Sequence, residues 1–301
     1  CQSTIRIGEV AGSDGTITLS GSGVLTNRNV LYVGLLGNGT FNLNDSAALI
    51  RTAGTSYVPN SSGATGVVDQ TGGLWDNGNQ ELRIGPVAGA VGTVNLSGSG
   101  VLTNCGALYV GLAGSGTINL SDSAVFHRMG GHAYVPNGGP SATGVVNQTG
   151  GLWDNGGGNI RIASASGVGS YSISGGALTN VNTLYNPVNG VGTFSVAGSS
   201  ASIHMASYQE LQTTSTLRVA PDSGGLSPIN VSGSVSLKGT LEVDFSNYGS
   251  KTDDFTIINY GTTLSGTLFT NILTEGWSAD IDYGDGSDDS VSLVNIVAPV
   301  L

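Results

Sequence analysis

The sequence predicts an all-β protein: a right-handed parallel β-solenoid (β-helix) with about 24–27 residues per coil and a C-terminal β cap. The first observation is a long internal repeat, in which GTITLSGSGVLTN at residues 15–27 returns 77 positions later as GTVNLSGSGVLTN at residues 92–104. The second is an alternation of apolar and small polar residues, which is the period of a strand with one buried face. Helical periodicity is absent from the sequence.

The repeat unit is itself divided into three subrepeats. Gly15, Gly39 and Gly66 each open a similar strand before Gly92 begins the next unit. A subrepeat of this length, broken by Gly, Asn and Ser, cannot close a core of its own, so successive copies must stack and share one. We therefore expect residues 1–215 to form the solenoid, in 77-residue units of three coils.

Residues 197–230 lose the strict repeat, and we place a boundary near residue 215. Residues 216–301 contain short apolar strands at intervals of about 10 residues. This pattern is typical of a β cap or a small β-sandwich that continues the core of the solenoid. We expect this region to pack directly on the last coil.

Two tryptophans recur at equivalent places in the repeat. Trp75 and Trp153 each stand in a GGLW motif, so they should lie on one face, three coils apart. If the two rings faced outward, they would form a platform on which a carbohydrate could stack. Burial is the favoured alternative, because other coils place leucine at the aligned position. The same register predicts that four leucines point into the core, namely Leu19, Leu43, Leu96 and Leu120.

The composition restricts the partners. Only 10% of the 301 residues are charged, the formal net charge is −11, and 50 residues are glycine. The acidic balance argues against nucleic acid and anionic membrane as partners. No apolar run reaches the roughly 18 residues of a transmembrane segment. Because the numbering starts at Cys1 without a signal peptide, we interpret the chain as already processed.

The acidic residues of the repeats do not form a pattern typical of an enzyme. Repeat-equivalent acids such as Asp45 and Asp122 should lie three coils apart, which is about 14 Å at roughly 4.8 Å per coil. The two carboxylates of a glycoside hydrolase lie only about 5–9.5 Å apart. The sequence therefore predicts a protein that is not an enzyme.

The segment DIDYGDGSDDS contains the one cofactor candidate. Its residues Asp280, Asp282 and Asp285 resemble a calcium-binding loop, although the position-5 ligand and the terminal Glu of an EF-hand are missing. A polar hairpin is the alternative explanation of this segment. No cofactor other than calcium is expected.

The two cysteines, Cys1 and Cys105, would normally pair in a secreted protein. Cys105 is repeat-equivalent to Arg28, which places the two cysteines about 14–19 Å apart along the axis at roughly 4.8 Å per coil. A disulfide needs Cα atoms within about 7 Å, so a bond within the chain is excluded. Either a bond joins two subunits, or Cys1 carries a lipid while Cys105 stays a buried thiol. The second alternative is favoured because Val181 stands at the third equivalent position.

Several motifs resemble known repeat proteins. GVVDQTGGLWDN, GVVNQTGGLWDN and LYVGLAGSGTINLSDSA resemble the glycine-rich strand repeats of bacterial autotransporter passenger domains. They are still more similar to the repeats of large secreted proteins that carry PEP-CTERM sorting tails. The resemblance implies an extracellular or bacterial cell-surface location, and it supplies no catalytic residues.

These observations favour a secreted structural protein. We expect copies of the chain to assemble head to tail into an extracellular filament or surface layer, with residues 290–301 of one copy covering the N-terminal coil of the next. A cell-surface adhesin or carbohydrate-binding module, with polysaccharide as its partner, is the alternative. A polysaccharide-degrading β-helix enzyme is the third possibility.

Overall fold

The computed structural model confirms the parallel β-solenoid. It describes residues 3–249, 253–284 and 290–299, which contain 28 strands and no helix. All 28 strands join in one continuous hydrogen-bonded system. Within these residues there is consequently no helix that could cross a membrane.

The first half of the chain contributes 14 strands: β1 (Ile5–Ile7), β2 (Asp14–Leu19), β3 (Val24–Asn27), β4 (Leu31–Val33), β5 (Asn38–Leu43), β6 (Ala48–Arg51), β7 (Ser56–Val58), β8 (Thr65–Gln70), β9 (Leu74–Ile84), β10 (Val91–Leu96), β11 (Val101–Val110), β12 (Ser115–Leu120), β13 (Val125–Arg128) and β14 (His132–Val135). The second half contributes β15 (Thr143–Gln148), β16 (Leu152–Asp154), β17 (Asn159–Ile162), β18 (Val168–Ile173), β19 (Gly176–Tyr185), β20 (Val191–Ala197), β21 (Ala201–Gln209), β22 (Ser215–Ala220), β23 (Ile229–Val231), β24 (Val235–Val243), β25 (Phe255–Tyr260), β26 (Leu264–Leu273), β27 (Ser278–Asp282) and β28 (Ser290–Val297).

The strands stack into three columns, which we call faces. Face 1 starts with β2, face 2 with β3, and face 3 with β1 and β4. Four long strands, β9, β11, β19 and β21, run round the corner from face 2 to face 3. From one coil to the next, the face 1 register advances by as few as 23 residues (Gly169 to Gly192) and as many as 31 (Leu241 to Ile272), beyond the predicted range at both ends.

The inward register agrees with the prediction from the sequence. Leu43, Leu96 and Leu120 are buried, and Leu19 of the first described coil packs partly buried against the same core. Because the side-chain period of a strand is two, a shift by one residue would have moved all four to the surface.

The two tryptophans lie on face 2, three coils apart, and both are fully buried. The Trp153 ring packs edge-on against Phe126, 4.6 Å between centroids, and is tilted against Tyr171 at 5.4 Å. Burial, the favoured alternative, is confirmed. A carbohydrate platform at Trp75 and Trp153 is wrong, because neither ring has an accessible face.

The structure moves the boundary expected near residue 215. Parallel pairing continues through β22, β24 and β26, so the solenoid runs on to Leu273. Among the strands that the structure describes, antiparallel pairing is confined to β28, which pairs with both β25 and β27. Ser215-Thr216 replaces the Gly-Thr motif in one coil, and the motif returns at Gly239-Thr240 in the next. The alternation of buried and exposed residues persists throughout, and alternation is what the stack requires.

Candidate functional site

The corner between faces 2 and 3 is the part of the solenoid that changes most along the stack. In each coil, one residue at the end of the face 2 strand points inward. This residue is polar or a cysteine in six consecutive coils and apolar in the coils that follow. We call this set the corner column; from first to last its members are Asn27, Arg51, Asn77, Cys105, Arg128, Asn155, Val181, Met205, Val231 and Tyr260.

Arg51 closes the corner in the first repeat unit. Its Nη1 donates to Asn77 Oδ1 at 3.2 Å, and its Nη2 donates to the carbonyls of Asn29, Ala53 and Gly54 at 2.6, 2.9 and 2.9 Å. Burial lowers the pKa of this guanidinium to about 10. The arginine therefore ties the corner loop to the neighbouring coils through carbonyl oxygens, without a carboxylate.

Arg128 repeats this arrangement one unit later. Its Nη1 donates to Asn155 Oδ1 at 2.6 Å, and its Nη2 donates to the carbonyls of Gly106 and Gly130 at 2.8 and 3.0 Å. Burial lowers its pKa as well. Both guanidinium groups are enclosed by protein, so their role is to hold loops in place.

Cys105 lies in the corner column beside Arg128. It is fully buried, and burial raises the pKa of its thiol to about 11. A thiol in such surroundings is inert, and it cannot reach a second subunit without leaving the core. The buried-thiol alternative is thus confirmed for Cys105, whereas Cys1 lies outside the described residues and its lipidation stays a prediction.

The repeat offset in the sequence aligns Cys105 with Arg28, but in the structure Cys105 occupies the inward position that Asn27 occupies in the earlier coil. Arg28 is exposed, and the preceding Asn27 is the inward residue of its coil. The shift arises because Asn104 adopts a left-handed conformation (φ 50°) that makes a bulge in β11.

The corner is open in the C-terminal part of the solenoid. A groove of about 500 Å³ extends over four successive coils there. We call it the corner groove. Its floor consists of the last members of the corner column, which are 2–7% exposed: Val181, Met205, Val231 and Tyr260. Its rim consists of the polar residues that precede them: Asn180, His204, Asn230 and Asn259.

The rim is uncharged and rich in hydrogen-bonding groups. Asn259 Nδ2 donates to Asn230 Oδ1 at 2.9 Å, and Asn230 Nδ2 donates to the Ile203 carbonyl at 3.2 Å. His204 is exposed, and its side chain forms no hydrogen bond with another described residue. No lysine, arginine, aspartate or glutamate lines the groove. The arrangement combines an apolar floor with amide donors and acceptors, which suits a hydroxyl-rich, neutral ligand.

A second exposed feature follows face 3. Stacked tyrosine and arginine side chains form what we call the tyrosine–arginine column: Arg6, Tyr32, Tyr57, Arg83, Tyr109, Tyr134, Arg161 and Tyr185. Ring centroids of Tyr109 and Tyr134 are 5.0 Å apart and nearly parallel. The repeated LYVG motif accounts for Tyr32 and Tyr109 of this column, but the arginines of the column were not predicted from the sequence. The signal was available, because LRIG and IRIA stand where other coils have LYVG.

One buried acid lies near the C-terminal end of the stack. Glu210 accepts hydrogen bonds from the Tyr208 hydroxyl at 2.9 Å and from the Lys238 backbone N–H at 2.8 Å. Burial nevertheless raises the pKa of this carboxyl to about 8. It faces the core rather than the corner groove, so we assign it no role in ligand binding.

The calcium candidate is divided between described and undescribed residues. Asp280 accepts from Asn295 Nδ2 at 3.0 Å, Asp282 accepts from the Gly284 N–H at 2.9 Å, and Asp285 lies outside the described residues. In the described part of the chain no three His, Cys, Asp or Glu side chains come together. Both described aspartates belong to the β27–β28 hairpin, and calcium binding stays a prediction.

The other acids singled out in the repeats act as turn residues. Asp45 Oδ2 accepts from the Gly21 N–H at 2.9 Å, and its equivalent Asp122 accepts from the Gly98 N–H at 2.8 Å. Each therefore links its own turn to the coil before it.

Comparison with known proteins adds nothing to this description: no family model, no curated protein and no solved structure matches the chain.

Proposed function

We propose that this solenoid is a non-catalytic carbohydrate-binding module, and that the corner groove binds an extended, uncharged polysaccharide. The observation that carries the proposal is the groove itself, with its apolar floor and uncharged rim over four coils. This favours the adhesin or carbohydrate-binding alternative over a purely structural role. The proposed setting, outside the cell or on a bacterial surface, rests on the resemblance of the repeats.

The shape of the groove suits a polymer that lies along the solenoid axis. Parallel strands are about 4.8 Å apart, so four coils present similar chemistry over about 14 Å. An extended saccharide would meet an amide or imidazole at each of the four coils, in Asn180, His204, Asn230 and Asn259.

The composition of the groove selects for a neutral sugar. Pyranose rings present apolar C–H faces and a rim of hydroxyls, and ligand sites generally match such surfaces with apolar walls and a few fixed polar groups. Met205 and Tyr260 supply the apolar floor. Amide groups both donate and accept hydrogen bonds, as hydroxyls do.

Calorimetric titration with neutral hexasaccharides (cellohexaose, laminarihexaose and mannohexaose) tests the proposal. Ala206 is exposed and lines the groove, so Ala206→Arg should obstruct it and weaken binding roughly tenfold or more. Ala88 is an exposed alanine outside the groove, so Ala88→Arg serves as the matched control. If no neutral hexasaccharide binds, or if Ala206→Arg binds as tightly as the control, the groove is not the site.

Head-to-tail assembly receives less support from the geometry. The segment expected to reach the next copy, from Ser290 onward, is paired in its own chain with β25 and β27 as far as Val297. The last parallel strand, β26, carries two register shifts against β24. Bulges of this kind protect a sheet edge from further strands. A filament therefore stays a prediction, and its contact would have to differ from the one expected.

A further inference from the structure

Two arginines of the tyrosine–arginine column occupy equivalent places in the two repeat units. Arg83 lies between Tyr57 and Tyr109, with its guanidinium carbon 5.7 and 5.6 Å from the ring centroids. Arg161 lies between its own pair of tyrosines in the same way, at 5.8 and 5.5 Å. Both arginines are stacked between two tyrosines at nearly the same distances, so any difference between the two sites comes from the neighbouring side chains.

The neighbours differ in charge. Arg83 Nε and Nη2 both donate to Glu81 Oε2, at 2.9 and 2.5 Å. Asn159 stands at the position equivalent to Glu81, and its Oδ1 already accepts from Asn182 Nδ2 at 3.1 Å and from the Thr183 N–H at 3.2 Å. The second unit thus has no carboxylate where the first has one.

Arg161 consequently lacks a counterion. Its side chain is half-buried and forms no ion pair or hydrogen bond with any other described residue. Its Nε and the Nδ1 of neighbouring His132 are both buried without a hydrogen-bond partner among the described residues. The pKa of His132 is lowered by burial first, and then by the charges of Arg161 and Arg128.

The stacking holds the Arg161 guanidinium in place before any ligand arrives. Tyr134 and Tyr185 cover its two faces, which restricts the side chain and leaves its edge for hydrogen bonding. A planar guanidinium matches a carboxylate with two parallel N–H···O bonds, and such charge-assisted bonds are stronger than neutral ones. A fixed, uncompensated arginine is therefore a receptor for a carboxylate.

We propose that Arg161 binds the carboxylate of a uronic-acid residue in an acidic saccharide. A sugar acid is favoured over an acidic peptide because Tyr134 and Tyr185 flank the guanidinium one coil away on each side. Their hydroxyls form no hydrogen bond with other described residues and can meet ring hydroxyls. The ligand carboxylate takes the role that Glu81 has in the first unit. This site lies on face 3 and does not depend on the corner groove.

Reciprocal substitutions at the two equivalent positions test the proposal, with trigalacturonate as the probe at low ionic strength. Asn159→Glu restores an internal carboxylate, so binding should fall by roughly tenfold or more. Glu81→Asn removes the internal carboxylate of the first unit, so the stoichiometry should rise from one to two. Unchanged binding to Asn159→Glu, or a stoichiometry that stays at one in Glu81→Asn, would overturn the assignment. Thermal unfolding of both variants checks that the solenoid remains folded.

Two further ligands test the chemical class. A neutral galactose trisaccharide should bind far more weakly than trigalacturonate, because it has no carboxylate for Arg161. Triglutamate should also bind more weakly, because it offers no ring hydroxyls to the tyrosines. Equal binding of triglutamate would show that the site does not recognise a sugar acid. In histidine NMR spectra, trigalacturonate should shift His132 and leave His204 of the corner groove unchanged; the reverse pattern would contradict the proposal.

Discussion

The corner between faces 2 and 3 is closed in the first six coils and open in the last four, although strands of the same two faces form its walls throughout. In the closed part, Arg51 and Arg128 hold the corner loops through carbonyl oxygens. In the open part, Val181 and Met205 occupy the same column and offer the backbone no hydrogen bond. An exposed groove therefore forms where the corner loses its polar anchor.

The two parts also bury ionisable groups of opposite type. The closed corner encloses arginines whose pKa burial lowers, whereas the C-terminal part encloses Glu210, whose pKa burial raises. Each of these groups is hydrogen-bonded mainly to backbone groups or hydroxyls rather than paired with a group of opposite charge. The two halves of one solenoid should consequently respond differently to substitution and to pH.

Arg128→Ala should have the largest effect. The substitution removes the side-chain donor from the carbonyls of Gly106 and Gly130, and it leaves the amide oxygen of Asn155 with Trp153 Nε1, 3.3 Å away, as its remaining donor. Each unpaired buried group costs about 1–3 kcal/mol, so the free energy of unfolding should fall by about 4 kcal/mol. Chemical denaturation measures it. Arg28 is exposed, and Arg28→Ala should cost less than about 0.5 kcal/mol; equal losses in the two variants would refute the anchoring role.

The second effect is a pH dependence that originates in the C-terminal part. Because the pKa of Glu210 is raised to about 8 in the folded state, its contribution to stability is fully present below the unfolded pKa of 4.5. That contribution is lost as the pH rises through about 8. The free energy of unfolding should fall by a few kcal/mol between pH 5 and pH 9, at about 1.4 kcal/mol per unit of pKa shift.

Glu210→Gln provides the control for this prediction. The amide keeps a carbonyl oxygen to accept from Tyr208 and cannot ionise, so the loss of stability toward pH 9 should be much smaller in the variant. If the wild-type protein has the same free energy of unfolding at pH 9 as at pH 5, the ionisation of Glu210 does not destabilise the fold and the prediction is wrong.

The smallest effect concerns the tyrosine–arginine column, which crosses both parts of the solenoid. Arg83→Ala removes two cation–π contacts and the ion pair with Glu81, so the free energy of unfolding should fall by about 1 kcal/mol. Arg161→Ala removes two similar contacts but no ion pair, and should cost less. Thermal denaturation of the pair measures the difference. A larger loss for Arg161→Ala would contradict the absence of a counterion there.

Much of the fold could be predicted because it depends on period-two alternation. Leu43, Leu96 and the two tryptophans face the core for this reason, and one repeat offset is enough to place them in the stack. The stacking of the tyrosines on face 3 follows from the same register. The burial of Cys105 does not, because its repeat-equivalent Arg28 is exposed and a bulge at Asn104 shifts the register there.

The corner could not be predicted in this way. Arg51 and Arg128 stand in Gly-rich loop sequences, RTAGT and RMGGH, where an arginine is ordinarily exposed. Their burial depends on loop carbonyls that only the folded corner brings together. The groove was missed because its residues come from four coils in which the repeat has faded, so no motif connects His204 with Asn259.

The most direct test of the central claim uses the three histidines of the chain. His204 lies on the rim of the corner groove, His132 lies beside Arg161, and His127 lies on face 2 outside both sites. A neutral hexasaccharide should shift the NMR signals of His204 in a saturable manner and leave His127 and His132 unchanged. If the His204 signals stay unchanged at saturating saccharide, or move only together with those of His127, the corner groove does not bind the ligand.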